Sequence, residues 1–317
     1  MAKETASRID RYLLLAVFFS LLAAVPLLMG SGIVNTRAGG DSPFLLQRVH
    51  EISTNLRYGV LPARWMPQGA YGLGYPAFNF YAALPYYLAS LLDLSGFGIL
   101  WGIKITQTLG FLVAGLMMYL LARRLGMRGP GALLGSAVYT FAPFHLVNVY
   151  VRGDALSEFY AFALFPLLIW ALLGLCHRPS FRSVALLAVA YASLVLTHNI
   201  SALLFSPLLG LWLLTESFTR DGRERWRVLA TGAGALMLGL VLSSWFWAPA
   251  LRETALVQLE EQTSGYFHYA GHFRGADLVQ GNVIHDYAIT GRRDPFDMGL
   301  IQTVVACLGL IALVLRV

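Results

Sequence analysis

The chain has 317 residues, of which 57% are hydrophobic and only 13% are charged. A soluble domain of this length needs more polar residues to cover its surface, so the composition excludes that class and predicts an all-α polytopic membrane protein. The formal net charge of +6 does not indicate a nucleic-acid partner, because Lys and Arg are scattered between apolar runs and form no single patch.

Several apolar runs are long enough to form membrane-spanning helices, which need about 20 such residues. The first run follows Lys3, Arg8 and Arg11. It is longer than the core of a signal peptide and lacks a small-residue cleavage site, so we interpret it as a retained span. The sequence therefore predicts about eight spans in a single module covering residues 1–317. These spans are 12–32, 105–122, 130–149, 155–176, 181–197, 200–217, 228–249 and 298–316.

The apolar segment 78–95 is the one ambiguous run, because it is short and contains Pro85. If it does not cross, every short turn rich in Arg falls on the same side as the N-terminus, as the positive-inside rule requires. We therefore expect a cytoplasmic N-terminus and a juxtamembrane or re-entrant helix at 78–95. The aromatic residues expected to hold this helix at the interface are Tyr81, Tyr86, Tyr87 and Trp101.

This topology leaves two long loops on the outer side, at about 35–104 and about 251–297. The first begins with an amphipathic stretch, SPFLLQRVHEISTNLRYG, which predicts a helix lying on the membrane surface. Its apolar positions are Phe44, Leu45, Val49, Ile52 and Leu56, and the polar residues expected to face away are Gln47, His50, Glu51 and Asn55.

Asp41 lies directly after the first span, in the sequence GGDSP. One interpretation is a helix N-cap, since Asp before Ser-Pro accepts the free backbone N–H groups of a first turn. The other is a functional carboxylate, because the two preceding glycines would let a substrate approach closely. His50 and Glu51 follow on the same predicted helix.

A second acidic group, YVRGDALSEFY, is predicted at the outer mouth of the fourth span. Asp154 and Glu158 are one helical turn apart, and a carboxylate at membrane depth usually faces a watery cavity or a partner. Arg152 has two interpretations, contact with lipid headgroups or phosphate binding. His198 and Asn199 are predicted on the same side, in the turn between the fifth and sixth spans.

The second outer loop contains Glu253 and several His, Tyr and Arg residues. The spacing of its histidines matches no zinc motif, so the residues predict no metal site there. A loop of this composition is more typical of a cover over a cavity or of contacts to headgroups and sugars.

The arrangement resembles the GT-C superfamily of membrane glycosyltransferases, which use polyprenyl-phosphate-linked sugars at the outer membrane face. The matching pieces are GGDSPFLLQRVHE, YGVLPARWMPQGAYGLGYPAFNFYAALPYYL, YVRGDALSEFY, LTHN and WFWAPALRE. The resemblance covers nearly the whole chain. Within the superfamily, the chain is most similar to bacterial and archaeal membrane proteins that are related to YfhO-type proteins and labelled as 6-pyruvoyl-tetrahydropterin-synthase-related.

The resemblance implies a transferase in the bacterial plasma membrane, with a polyprenyl-phosphate sugar and membrane lipids as partners. Asp41 would be the general base or a metal contact, and Asp154, supported by Glu158, would be the second acidic position. A divalent metal is compatible with this chemistry, but the chain has no Asp-x-Asp or Asp-Glu pair at Asp41. The residues expected to bind substrate are Arg48, His50, Glu51, Arg64, Arg152, His198, Asn199 and Glu253.

The alternative hypothesis is a non-catalytic scaffold, or a subunit of a larger membrane complex, that keeps the GT-C-like fold. The two hypotheses differ in one structural expectation, since an enzyme needs a lipid-sized groove beside its acidic residues.

Overall fold

The computed structural model describes residues 10–33, 42–153, 155–258, 264–265, 268, 270, 278–288 and 296–315. Within these residues the chain is predominantly helical, and β-structure is limited to two isolated bridges. The helices are, in chain order, α1 Arg11–Met29, α2 Ser42–Arg57, α3 Gly69–Gly72, α4 Ala77–Phe80, α5 Leu84–Leu92, α6 Gly98–Arg124, α7 Gly129–Thr140, α8 Pro143–Leu146, α9 Leu156–His177, α10 Phe181–Thr197, α11 Asn199–Phe218, α12 Gly222–Leu242, α13 Ser244–Arg252 and α14 Leu300–Val314.

Each predicted span falls on helical structure, but the count of eight crossings is not confirmed. Among the described residues, five helical stretches are long and apolar enough to cross a membrane. A sixth is possible if α7 and the segment Pro143–Val151, which meet at a bend of 42°, form one broken span. Two further helices, α10 with 17 residues and α14 with 15, are apolar but short. The difference arises because hydropathy detects apolar runs, whereas their helical length depends on where the backbone breaks.

The segment 78–95 does not simply continue into the following span. α5 and α6 are joined by a π-helical segment, Asp93–Phe97, in which Gly96 has a φ of 97°. A Cβ atom at Gly102 would lie 2.5 Å from the Ala89 carbonyl oxygen. In one straight helix these two positions would be about 20 Å apart. α5 therefore folds back onto the first turns of α6, and its nine residues are too few to cross the bilayer alone.

α6 begins at Gly98, several residues before the predicted start of the second span. Lys104 therefore lies inside the helix, and its side chain is buried. Its ammonium group donates to the Gly30 carbonyl oxygen, which follows the last turn of α1. At the opposite end of the same pair, the Tyr119 hydroxyl donates to Asp10 Oδ2 at 2.6 Å. α1 and α6 are thus antiparallel.

Three contacts bring the basic turns together at one end of the bundle. The Arg124 guanidinium donates to the Trp170 carbonyl oxygen near the end of α9 and lies 4.0 Å from the Trp170 ring centroid. Arg220 donates to the Cys176 carbonyl oxygen at 3.1 Å. We call this the basic end, defined by Arg123, Arg124, Arg128, Arg178, Arg182, Arg220, Arg223, Arg225 and Arg227.

The span predicted at 228–249 is divided into two helices. α12 already begins at Gly222, so it includes basic residues assigned to a turn, and it ends at Leu242. The Ser243 hydroxyl turns back to the Gly239 carbonyl oxygen at 3.0 Å, and α13 starts directly afterwards. This break places Trp245 and Phe246 beside the opposite end of the bundle rather than within the span.

α2 packs against the bundle instead of lying freely on a membrane surface. Leu45, Val49 and Ile52 are buried as predicted, but Phe44 is 53% exposed. The prediction that Glu51 and Asn55 face away from the apolar side of the helix is wrong, because both are buried, with 0% and 7% exposure. Both are covered because the loop that follows α2 folds back over them, and a helical pattern cannot foresee that contact.

Candidate functional site

Glu158 lies in the first turn of α9, where its carboxylate forms an ion pair with Arg152. The Arg152 guanidinium also donates to Asn148 Oδ1 at 3.2 Å, and its Cζ atom lies 5.8 Å from the Phe296 ring centroid. The Arg152 and Glu158 side chains are 34% and 25% exposed, so a molecule outside the bundle can contact both. The ion pair fixes the predicted carboxylate at the edge of the apolar layer.

His198 belongs to the same electrostatic cluster. Its Nδ1 atom accepts the Ser201 backbone N–H at 3.3 Å and lies 2.7 Å from the Ser201 hydroxyl, so it caps α11. Burial lowers the pKa of His198; the nearby Glu158 acts to raise it and Arg152 to lower it. Because Nδ1 accepts the backbone N–H, the neutral ring carries its proton on Nε2 and can donate from there.

A cavity of about 240 Å³ lies at this end of the bundle. It is enclosed by the loop after α2, by α4 and α5, by the end of α10 and by the start of α13. The wall is apolar and half of its residues are aromatic, and its members include Phe78, Tyr81, Tyr87, Leu196, Trp245 and Phe246. Such a lining suits a hydrocarbon chain better than a free sugar or a nucleotide.

Arg48 borders this cavity from α2. Its guanidinium lies 4.4 Å from the ring centroid of Tyr81 and donates to the Tyr86 hydroxyl at 3.0 Å. Tyr86 is fully buried, which corrects the expectation that it anchors a helix at the membrane interface, whereas Tyr81 is partly exposed. Trp101 is 49% exposed, and for Trp101, Tyr81 and Tyr87 the interfacial role stays a prediction. Tyr81 and Tyr86 hold an arginine beside the apolar space.

Arg64 also contacts a residue of the cavity wall. Its side chain is exposed and donates to the carbonyl oxygen of Trp245 at 3.1 Å. A second contact between the same parts of the chain joins Asn79 Nδ2 to Glu253 Oε2 at 2.7 Å. Glu253 therefore ties α4 to the residue that follows α13, and the segment between α2 and α5 contacts α13 and its C-terminal end at two points.

The Glu158 cluster and the cavity adjoin each other. The Ser157 hydroxyl donates to the Ala82 carbonyl oxygen at 3.2 Å, and Ala82 lies between two cavity-lining residues. Leu196, also in the cavity wall, is two positions before His198. The structure thus brings Arg48, Arg64, Arg152, Glu158 and His198 to one end of the bundle, opposite the basic end.

The structure also describes three other residues predicted to bind substrate. Glu51 is buried, and its two carboxylate oxygens accept the Gln68 backbone N–H at 3.1 and 3.3 Å. His50 is partly buried on α2, and Asn199 is an exposed residue at the start of α11. Asp41 and Asp154 are outside the residues that the structure describes, so their predicted roles stay predictions.

Metal binding receives no support from the described part of the chain. Among those residues, no three or more His, Cys, Asp or Glu side chains are grouped so that they could hold an ion.

Sequence reasoning missed Asn148 and Asn79. Asn148 is 1% exposed, and its Nδ2 atom has no hydrogen-bond partner among the described residues. An amide inside an apolar run is costly to bury without partners, so its position within a predicted span was the available signal. Asn79 lies in the apolar segment 78–95, outside the predicted spans, and its signal was a lone amide among apolar and aromatic residues.

The fold and the site define a helical membrane protein with an apolar cavity and a charged cluster at one end. A family model described as "6-pyruvoyl-tetrahydropterin synthase related domain; membrane protein" matches residues 78–314, well over half of the chain. The chain belongs to this family of membrane proteins. It is also similar to an "Uncharacterized protein" from Lactococcus lactis subsp. cremoris (strain MG1363), with 24% identity over 246 residues. That alignment covers 76% of this chain and 39% of the relative.

Proposed function

We propose that this chain is a GT-C-type glycosyltransferase that moves a sugar from a polyprenyl phosphate to an acceptor on the extracytoplasmic side of the bacterial plasma membrane. In this proposal the N-terminus and the basic end are cytoplasmic, and the spans retain the eight-helix GT-C arrangement. The observation that carries it is the apolar cavity, whose wall is contacted by Arg48 through Tyr81 and by Arg64 through Trp245, and which adjoins the Arg152–Glu158 pair.

A lipid phosphate matches both parts of this site. The cavity, about 240 Å³, is smaller than a typical drug-sized site of about 300–1,000 Å³, so it admits one end of a hydrocarbon chain rather than a whole lipid. Arg48 and Arg64 stand at its border, and guanidinium groups bind phosphate oxygens with paired hydrogen bonds. The remainder of the isoprenoid chain would extend into the bilayer.

The acidic residues supply the chemistry that transfer needs. A carboxylate removes the proton from the acceptor hydroxyl, the oxygen forms a bond to the sugar's anomeric carbon, and the carbon–oxygen bond to the phosphate breaks. The electron pair leaves with the polyprenyl phosphate, whose charge the arginines stabilise. Asp41 and Asp154 are our candidate bases, and Glu158, fixed by Arg152, supports the second position. Single displacement would invert the anomeric centre.

The first test is binding of a polyprenyl phosphate to the purified full chain in nanodiscs, followed by native mass spectrometry. The matched control ligand is the polyprenol of the same length, which lacks the phosphate. We expect selective retention of the phosphate form, and a loss of about tenfold in affinity for Arg48→Gln and for Arg64→Gln. Equal retention of both lipids by the unmodified chain would contradict the proposal.

The second test is turnover of polyprenyl-phosphate-linked hexose and pentose donors. Asp41→Asn and Asp154→Asn, made separately, should each reduce release of polyprenyl phosphate by about a hundredfold or more, the usual contribution of a general base. Unchanged turnover in both variants would remove these residues from catalysis. A chain that binds the lipid phosphate selectively but turns over no donor would instead support the scaffold hypothesis.

A further inference from the structure

Residues 65–92 contain no Asp, Glu, Lys or Arg, although they connect two elements at the site end of the bundle. An exposed aqueous loop of this length usually carries charge. Arg57 and Arg64 precede the uncharged stretch, and Asp93, which pairs with Arg57 at 3.3 Å, follows it. Aromatic and apolar residues flanked by arginines are the composition of segments that lie at a membrane interface.

The first part of this stretch forms a small hairpin, residues 65–75. Met66 and Tyr75 exchange two backbone hydrogen bonds of 2.8 and 3.0 Å. Between them, Ala70 and Tyr71 have φ values of 48° and 60°. This left-handed conformation costs roughly 1–2 kcal/mol for each residue other than glycine. The fold therefore sustains a strained turn at the tip of the 65–75 hairpin.

The strained turn projects large apolar side chains outward. Tyr71 is 107% exposed and Leu73 is 86% exposed, more than the lipid-facing Leu204 of α11 at 70%. In water, exposing these side chains would bring no gain in free energy to offset the strain of the turn. At a bilayer these side chains would be buried in the interfacial layer, and each square ångström of apolar surface buried stabilises this arrangement by about 25 cal/mol.

Two buried side chains of α2 hold the base of the 65–75 hairpin. The Asn55 amide donates to the Trp65 carbonyl oxygen at 2.9 Å, and the Glu51 carboxylate accepts the Gln68 backbone N–H. Because α2 is packed into the bundle, these contacts fix the direction of the tip relative to the spans. Glu51 is therefore a positioning residue for the hairpin.

We infer that the 65–75 hairpin is a membrane anchor whose tip, Tyr71 and Leu73, inserts into the interfacial layer of the bilayer. The hairpin emerges between two stretches of the cavity wall, since Leu61 and Ala63 precede it and Phe78 follows it. Insertion would hold the cavity against the lipid from which an apolar ligand arrives. The inference concerns a lipid surface and does not depend on the proposed transferase activity.

Spin labels at the tip test the insertion directly. Single-cysteine variants Tyr71→Cys and Leu73→Cys would be made in the full chain after Cys176→Ala and Cys307→Ser, and labelled in nanodiscs. Collision rates with dissolved oxygen and with a water-soluble nickel chelate report lipid and water contact respectively. Leu204→Cys gives the lipid reference, and Asp221→Cys, whose side chain is fully exposed near the basic end, gives the water reference.

We expect the ratio of oxygen to nickel collisions at positions 71 and 73 to exceed the Asp221 reference several-fold and to approach the Leu204 value. A ratio equal to the water reference would overturn the inference. So would low collision rates with both reagents, which would show that the tip contacts protein.

The role of Glu51 is tested with the label at position 73. Glu51→Ala removes the acceptor for Gln68 and should narrow the spectral lines as the hairpin gains mobility, whereas Glu51→Gln keeps an acceptor oxygen and should restore the broad lines. Identical spectra for all three chains would overturn the positioning role. Should Glu51→Ala fail to fold, the collision ratios of the parent chain still decide whether the tip inserts.

Discussion

His198 illustrates how one side chain at the site end has both a structural and an electrostatic role. It follows the last residue of α10 and caps α11 through Nδ1, while its ring lies within the electrostatic influence of Glu158 and Arg152. The cap requires a nitrogen lone pair, so protonation at Nδ1 would remove the acceptor for the Ser201 backbone N–H. The turn between these two helices is therefore coupled to the charge state of the ring.

The lowered pKa of His198 predicts a loss of stability in acid. Because the pKa of His198 is lower in the folded chain than in the unfolded chain, the unfolded chain binds the proton more readily. The contribution of neutral His198 to the free energy of unfolding is therefore complete above about pH 6.5, and it is lost as the pH falls towards the pKa of the folded chain. His198→Asn keeps a capping oxygen but does not titrate. We expect its unfolding temperature in detergent to fall less than that of the parent chain between pH 7 and pH 5.

His198→Ala is the matched control for the cap. It should reduce the free energy of unfolding by about 1 kcal/mol at every pH, because it removes the acceptor entirely. The same acid dependence in His198→Asn and in the parent chain would show that another group titrates.

At the scale of elements, the α5–α6 hairpin determines the shape of the site end. The π-helical segment Asp93–Phe97 reverses the chain, and Gly102 lets the backbone of α6 approach Ala89 of α5. This close approach keeps Tyr81, which precedes α5, and Tyr87, which belongs to α5, in the cavity wall. The apolar runs predicted helices here, but they could not show that the two helices lie side by side.

Gly102→Ala should destabilise the protein because the new methyl group would lie 2.5 Å from the Ala89 carbonyl oxygen, a backbone atom that cannot turn aside. Overpacking of this kind costs about 1–3 kcal/mol. The control is Gly210→Ala on α11, where no atom lies within 4 Å of the added Cβ and the better helix propensity of Ala applies. We expect a lower unfolding temperature for the first variant and an unchanged or slightly higher one for the second. Equal values would show that α5 can move away.

At the scale of the whole molecule, the bundle has two chemically different ends. The basic end gathers the arginine-rich turns, and the site end gathers the cavity, the Glu158 cluster and the attachment of the segment between α2 and α5 to α13. The antiparallel pairing of α1 and α6 places Asp10 at the first of these ends and Lys104 at the second. The positive-inside rule then predicts that the basic end is cytoplasmic.

Cysteine labelling of intact cells tests this orientation. Leu256, which is 80% exposed, lies at the site end, and Asp221 lies at the basic end. Each would be replaced by cysteine in a separate variant. A membrane-impermeant maleimide should label position 256 in intact cells and position 221 only after permeabilisation. The opposite pattern would reverse the topology and place the site in the cytoplasm.

The sequence by itself determined the class of the protein, the helical segments and the separation of basic from site-forming residues, because hydropathy and charge are properties of short stretches of chain. The sequence also identified Arg48, Arg64, Glu158 and His198 as candidate functional residues. It did not predict the burial of Glu51.

Only the tertiary structure decided which of these residues share a site. Arg64 reaches the Trp245 carbonyl oxygen, and Ser157 reaches that of Ala82, across long intervals of sequence. Likewise, the return of the loop after α2 buries Glu51 and pairs its carboxylate with the Gln68 backbone N–H of the 65–75 hairpin. Such contacts depend on where the backbone breaks and how closely helices approach, and no local pattern of residues encodes either.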